Sequence, residues 1–137
     1  MKLTFVDASV LITAAIGKDE ILVRKAFEIL DDPERQFVSS NFVRLEVLPK
    51  AVYLRNEAEK EFYIAFFDAV SRWENLSDTV ADNAFNEACK VGLSAIDALH
   101  ITMAKNARAD EFITAEKDTK PFFKVSGIVV TTIRPSA

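Results

Sequence analysis

The chain has 137 residues and is 50% hydrophobic, which suits one domain with a single sizeable core and excludes two ordinary domains. Lysine and arginine total 17 against 21 acidic residues, and the net charge of −4 excludes a protein that is basic over its whole surface. Cys89 is the only cysteine, which excludes an internal disulfide and a zinc site built from thiolates.

The apolar segments of the sequence are too short for export or membrane insertion. Asp7 interrupts the first apolar run after a few residues, so we expect no secretory signal. The longest uncharged stretch, residues 8–17, is well below the roughly 18 residues of a membrane-spanning helix. We therefore expect a soluble protein of the reducing cytoplasm that has no contact with membrane.

Short apolar segments that predict strands alternate along the chain with segments of helical periodicity. Polar residues that suit helix caps stand before several of the helical segments, and Gly92 ends one of them. The candidate caps are Ser40 or Asn41, Ser77 or Asp78, and Ser94. In chain order we predict strand 3–6, helix 19–30, strand 36–39, helix 41–53, helix 57–70, edge strand 73–76, helix 78–91, helix 95–106, strand 111–115, a short helical piece at 121–124 and strand 128–132.

This alternation predicts an α/β fold: one domain over residues 1–137, with a parallel sheet of about five strands and helices on both faces. The predicted helix over residues 57–70 is aromatic over a broad face. That face either belongs to the internal core or forms part of a subunit contact.

Acidic residues stand where such a fold brings strand ends and helix starts together. Ligands of open parallel sheets bind outside the carboxyl ends of the strands. Carboxylates gathered there repel one another and are stable together only with a cation. A site of hard oxygen donors, without clustered histidine or cysteine, favours Mg²⁺ or Mn²⁺ over zinc. The candidate metal ligands are Asp7, Glu46, Asp97, Glu116 and Asp118.

Each of these acids also has a purely structural interpretation. Asp7 can start a turn or cap the helix that follows it, and Glu46 can pair with Lys50 one turn later. Asp97 can form a capping box with Ser94.

The last two acids have structural interpretations of the same kind. Asp118 can cap the short helical piece at 121–124, and Glu116 can pair with Lys117 or Lys120. For each of the five acids, the interpretation as a metal ligand and the structural interpretation both stay open at this point.

Taken together, four segments of the chain resemble PIN-domain ribonucleases, in particular toxins of the VapC type. The resemblance covers essentially the whole length, and its first and third segments are the more specific. The segments are residues 6–12 (VDASVLI), 44–47 (RLEV), 93–104 (LSAIDALHITMA) and 112–118 (FITAEKD).

The resemblance implies hydrolysis of RNA phosphodiester bonds with Mg²⁺ or Mn²⁺ held by the acids. Asp7, Glu46 and Asp97 match the first three acids of the family's metal site. The fourth acid lies two or four residues after the residue that ends the fourth strand, which here gives Glu116 or Asp118, and we favour Asp118 as the catalytic one. The implied partners are RNA, an antitoxin protein and a second copy of the chain in a homodimer.

Two alternatives remain open. The chain can be a non-catalytic interaction module with a PIN-like fold, in which the acids serve only as caps, or a housekeeping RNA-processing nuclease with the same chemistry. His100, the only histidine, is expected to pack or to hydrogen-bond near the site. A rim of basic residues can hold phosphates or simply be solvated: Arg44, Lys50, Arg55, Lys117, Lys120 and Lys124.

Overall fold

The computed structural model describes residues 1–135, so the last two residues of the predicted domain 1–137 lie outside the described part. Five strands and six α-helices alternate along this part. The strands are β1 (Lys2–Val6), β2 (Arg35–Ser40), β3 (Arg72–Glu74), β4 (Glu111–Thr114) and β5 (Val129–Thr132). The helices are α1 (Ala8–Ile16), α2 (Glu20–Leu30), α3 (Asn41–Tyr53), α4 (Glu57–Ala69), α5 (Asp78–Val91) and α6 (Ala95–Asn106), with a short 3₁₀ helix at Pro121–Lys124.

The five strands form one parallel sheet in the order β3-β2-β1-β4-β5. Right-handed crossovers put α1 to α4 on one face of this sheet and α5 and α6 on the other. The helices within each layer pack against one another. The predicted fold class, α/β with about five parallel strands and helices on both faces, is confirmed.

Polar caps fix where the helices begin. The Ser40 hydroxyl accepts hydrogen bonds from two backbone N–H groups at the start of α3, and the Ser77 and Ser94 hydroxyls each accept one, at the starts of α5 and α6. Gly92 ends α5 in the left-handed conformation, with φ of 74°, which glycine adopts without strain. The caps read from the sequence therefore lie where they were predicted.

The sequence did not predict α1. Its residues form most of the uncharged stretch 8–17, so no polar face reveals a helical period. Val10 and Leu11 are fully buried, whereas Ile12 and Ile16 are partly exposed, so the helix has an inner and an outer side that are both apolar. Strand ends also differ from the prediction by one or two residues.

Aromatic side chains make the centre of the core. Phe5 of β1 stacks on Phe112 of β4 with ring centroids 5.3 Å apart, and Phe122 packs on Phe112 at 5.1 Å. Tyr63 and Phe66 of α4 are also buried, so the aromatic face of that helix belongs to the internal core.

The exposed apolar surface lies on α3 instead. Leu45, Val52 and Tyr53 are exposed there, and they line an open groove of about 620 Å³. No helix in the described part of the chain has the length and apolar content needed to cross a membrane.

A buried acid at the amino ends of the strands is fully compensated by cations. Glu111 accepts hydrogen bonds from Arg35 at 2.8 Å and Thr4 at 2.6 Å, and Lys2 lies 3.4 Å away. Burial raises the pKa of Glu111, but these hydrogen bonds and positive charges outweigh burial, and the net effect is a lowered pKa. This acid holds strands together and needs no ligand.

Candidate metal centre

The candidate site lies where the connections of the sheet change direction. From β1 the chain proceeds through β2 to β3 on one side, and β4 and β5 lie on the other side. The carboxyl ends of β1 and β4 therefore border the crevice in which ligands of such sheets bind. Asp7 directly follows β1, and its N–H donates to Ile113 of β4 at 2.9 Å, so these two strand ends stay in register.

Two hydroxyl groups hold the Asp7 side chain. Ser9 and Thr114 both donate to Oδ2 of Asp7, at 2.9 and 2.8 Å. Each hydroxyl also accepts a backbone hydrogen bond, Ser9 from Ala115 at 2.9 Å and Thr114 from Glu116 at 3.1 Å. Oδ1 of Asp7 accepts no hydrogen bond from the described residues, so one oxygen is fixed in place and the other remains available to a ligand.

Glu46 of α3 and His100 of α6 come together with Asp7. One candidate ligand atom from each of the three lies within 4.8 Å of the other two, and this is the single such group of three in the described part of the chain. Asp7 and His100 are buried, whereas the Glu46 side chain is about one-third exposed. Two carboxylates from distant parts of the sequence therefore share one small space.

His100 orients Glu46 through a hydrogen bond between its Nε2 and Oε1 of the glutamate. The ring is fully buried and packs on Phe5, and its Nδ1 has no hydrogen-bond partner. A proton on Nδ1 would be a buried N–H without an acceptor, which is rare, so we assign the proton to Nε2. Metal-bound histidine normally donates its second N–H to an acceptor, so His100 serves Glu46 and not the ion.

Asp97 and Glu116 lie beside this group. Both are half-buried, Asp97 near the start of α6 and Glu116 two residues after the end of β4. Burial raises the pKa of Asp97, and the carboxylates of Glu46 and Glu116 raise it further, against the lowering effect of the Ser94 hydroxyl. The charge of Glu116 is thus close enough to Asp97 to raise its pKa, although both residues lie outside the group of Asp7, Glu46 and His100.

Asp118 lies elsewhere. It is exposed and lines a neighbouring cleft with Lys117 and Arg134. Of the two residues offered by the sequence as fourth acid, Glu116 is therefore the one beside the other carboxylates.

The structural interpretations of the first three acids do not hold in the described residues. Asp7 occupies the cap position of α1, but its side chain makes no cap hydrogen bond. Glu46 contacts His100, not Lys50. Ser94 accepts from the N–H of Asp97 at 3.4 Å, but the return bond of a capping box, from the N–H of Ser94 to Asp97, is absent.

The structural interpretations of Glu116 and Asp118 do not hold either. Lys120, not Asp118, occupies the cap position of the short 3₁₀ helix, and that helix has no side-chain cap. Glu116 forms no ion pair with Lys117 or Lys120. The cap and ion-pair roles that the sequence offered as alternatives are therefore not formed by these side chains in the described residues.

The electrostatics of the site fit a divalent cation. Within residues 1–135 none of the five acids pairs with a lysine or arginine side chain. Burial raises the pKa of Asp7, and the Glu46 carboxylate raises it further, against the lowering effects of His100 and of the hydrogen bonds from Thr114 and Ser9. A cluster of carboxylate oxygens that no lysine or arginine neutralises has the donors that Mg²⁺ and Mn²⁺ prefer.

Comparison with known protein families shows the family of the chain. The PIN domain family matches residues 4–127, which is most of the sequence. The chain belongs to the PIN domain family, as the sequence resemblance predicted. A search of curated proteins gives no match.

Solved structures with the same fold include bacterial toxins and toxin-antitoxin complexes. A toxin-antitoxin complex from Klebsiella pneumoniae is 23% identical, with a TM-score of 0.72, and the match covers 96% of this chain and 98% of the other. VapC20 of Mycobacterium tuberculosis, described as a sarcin-ricin loop cleaving toxin, is 17% identical, with a TM-score of 0.69 and coverage of 92% and 96%. VapBC2 from Rickettsia felis, bound to promoter DNA, is 10% identical, with a TM-score of 0.70 and coverage of 95% and 98%. At these identities the likeness concerns the fold.

The raised pKa of Asp7 predicts that Asp7→Asn stabilises the protein in metal-free buffer. A group whose pKa is raised on folding favours the folded state at low pH, and this contribution is lost as the pH rises through the folded pKa. At pH 7 the ionised Asp7 therefore destabilises the fold, and asparagine removes that charge while keeping an acceptor for Ser9 and Thr114. We expect Tm to rise by about 4 °C at pH 7, the effect of roughly 1 kcal/mol in a domain of this size.

The gain should shrink as the pH falls from 7 toward the ordinary aspartate value of 3.8 and be absent below it, because the raised pKa lets folded Asp7 take up its proton before the unfolded chain does. Thermal unfolding followed by circular dichroism measures both effects. Asp68→Asn, at an exposed position on α4, is the control and should change Tm little. A lower Tm for Asp7→Asn than for the native chain at pH 7 would show that Asp7 is a structural residue.

Proposed function

We propose that the chain is a divalent-metal-dependent endoribonuclease that hydrolyses RNA phosphodiester bonds and is the toxin of a toxin-antitoxin pair. One observation carries the proposal: in a PIN domain, buried and half-buried carboxylates converge at the switch point of the sheet, and no lysine or arginine of the described residues pairs with them. Proteins of similar fold include toxins, and one of them cleaves the sarcin-ricin loop, which supports the choice of RNA.

The proposed cofactor is Mg²⁺ or Mn²⁺, held by Asp7, Glu46 and Asp97 with a fourth acid beside them. When bound, such an ion neutralises charge on the phosphate and lowers the pKa of water. Burial and nearness to Asp97 support Glu116 over Asp118 as the fourth acid.

The residues of the chain then have distinct roles. Ser9 and Thr114 fix one oxygen of Asp7, so that the other keeps its direction toward the ion. His100 fixes Glu46, which either ligates the ion or accepts a proton from the attacking water. Water attacks phosphorus directly, and the chain forms no covalent intermediate with RNA.

We also propose the wider setting of the reaction. The whole chain, residues 1–137, acts as one domain in the cytoplasm, as a homodimer and in complex with an antitoxin. Several structures of similar fold are toxin-antitoxin complexes, which supports the antitoxin as partner.

The catalytic proposal predicts that Asp7→Asn and Asp97→Asn each reduce RNA cleavage by more than about 100-fold, because even the neighbours of metal ligands contribute 10- to 100-fold. The assay is cleavage of structured RNA with Mn²⁺, with Mg²⁺ and with chelator. Both variants should remain folded, and Asp68→Asn should cleave at the native rate.

The same assay separates the two candidates for the fourth acid. We expect Glu116→Gln to lose activity and Asp118→Asn to keep it within about tenfold, whereas the reverse result assigns the role to Asp118. A native chain that cleaves no RNA with either ion would favour the non-catalytic interaction module.

The toxin proposal predicts that expression of the native chain alone arrests bacterial growth and that expression of Asp7→Asn does not. A housekeeping nuclease would leave growth unchanged while still cleaving RNA in vitro, so that outcome would contradict the toxin role.

Light scattering tests the homodimer: we expect about twice the chain mass of 15.3 kDa, and a value near 15.3 kDa would exclude it.

A further inference from the structure

The segment after β5 is fastened to the loop that carries Glu116. Ile133 donates its N–H to Thr114 at 3.0 Å, and the Thr132 hydroxyl donates to the carbonyl of Glu116 at 2.5 Å. That hydroxyl also accepts the N–H of Arg134 at 3.1 Å. Residues 132–134 therefore have a fixed position beside the metal centre.

Arg134 is held by one edge of its guanidinium. Its Nε donates to the carbonyl of Ala115, the residue before Glu116. Its two terminal nitrogens make no hydrogen bond or ion pair with any described residue. An arginine that is anchored through Nε presents an oriented pair of charged donors to whatever lies in front of it.

These donors border a cleft of about 280 Å³ lined by Lys117, Asp118, Thr119, Arg134 and Pro135. Lys117 supplies a second positive charge. Asp118 forms no ion pair with either cation, so both charges remain available. The cleft adjoins the loop of Glu116, because Lys117 follows Glu116 directly and Arg134 donates to the carbonyl of Ala115.

RNA that binds at the metal centre needs positively charged side chains near the acids. The chain has a net charge of −4, and the metal centre is itself acidic, so RNA must be held by local cations close to the acids. Arginine suits phosphate because its planar donors meet two oxygens at once.

We propose that Arg134 binds a backbone phosphate of the RNA next to the one that is cleaved, with Lys117 as a supporting charge. This inference rests on the proposed ribonuclease function and adds the residue that positions the substrate. The sequence did not reveal Arg134, because it stands outside every motif.

A purely structural role for Arg134, as a brace for the Glu116 loop, is the competing explanation, and two substitutions separate it from phosphate binding. In Arg134→Gln the amide nitrogen occupies the place of Nε, so it keeps the bond to Ala115 and loses only the charged donors. In Arg134→Lys the charge remains and the Nε donor is lost. A brace depends on the hydrogen bond from Nε to Ala115, whereas phosphate binding depends on the charged donors.

The experiment measures cleavage of structured RNA with Mn²⁺ over a range of salt concentrations. For Arg134→Gln we expect KM to rise about tenfold with little change in kcat, and the slope of log KM against log salt to fall by about 0.7, the effect of one lost contact to single-stranded RNA. Arg134→Lys should keep most of the native slope. Arg24→Gln, which removes an exposed charge on α2, should leave KM and slope unchanged.

A second measurement does not depend on catalysis. Fluorescence anisotropy of a labelled oligouridylate in chelator reports binding alone, and Arg134→Gln should bind about tenfold more weakly than the native chain. Equal binding by the two proteins would overturn the inference, and so would a greater loss for Arg134→Lys than for Arg134→Gln. Native binding without any cleavage would instead contradict the proposed ribonuclease and leave the phosphate contact standing.

Discussion

The structure depends on a balance between burial and charge at the carboxyl ends of the strands. Asp7 is buried at a position where Glu46 is its close neighbour, and Asp97 and Glu116 lie beside them. Like charges in a partly desolvated space destabilise the fold unless a cation joins them. In residues 1–135 no lysine or arginine does so. Such a site lowers the stability of the fold when it is empty and can bind a cation, and this combination is typical of functional centres.

The opposite end of the sheet shows how the same chain treats an acid that serves only structure. Glu111 is buried as deeply as Asp7, yet Arg35, Lys2 and Thr4 surround it and lower its pKa. The acids at the two ends are both shielded from solvent, and they differ in their partners. Because the fold can supply arginine and lysine to a buried carboxylate, their absence around Asp7 points to a cation from solution.

The sequence predicted those parts of the molecule that leave a local signal. Glu46 and Asp97 sit on helices whose caps were readable, and Asp7 ends a short apolar strand. The helix α1 was missed because it has no charged residue and few polar ones, so its sequence gives little contrast between the buried and the exposed side. The choice between Glu116 and Asp118 depends on how the chain turns after β4, and the role of Arg134 depends on hydrogen bonds between segments distant in sequence. Such tertiary contacts have no pattern in a single sequence.

The most direct test is calorimetric titration of Mn²⁺ into the purified native chain at pH 7. Saturable binding is expected, because the ion would join carboxylates that otherwise repel one another in a partly buried space. Asp7→Asn should bind Mn²⁺ at least about tenfold more weakly. A native chain that takes up no Mn²⁺, or an Asp7→Asn variant that binds it equally well, would show that these carboxylates do not form a metal centre.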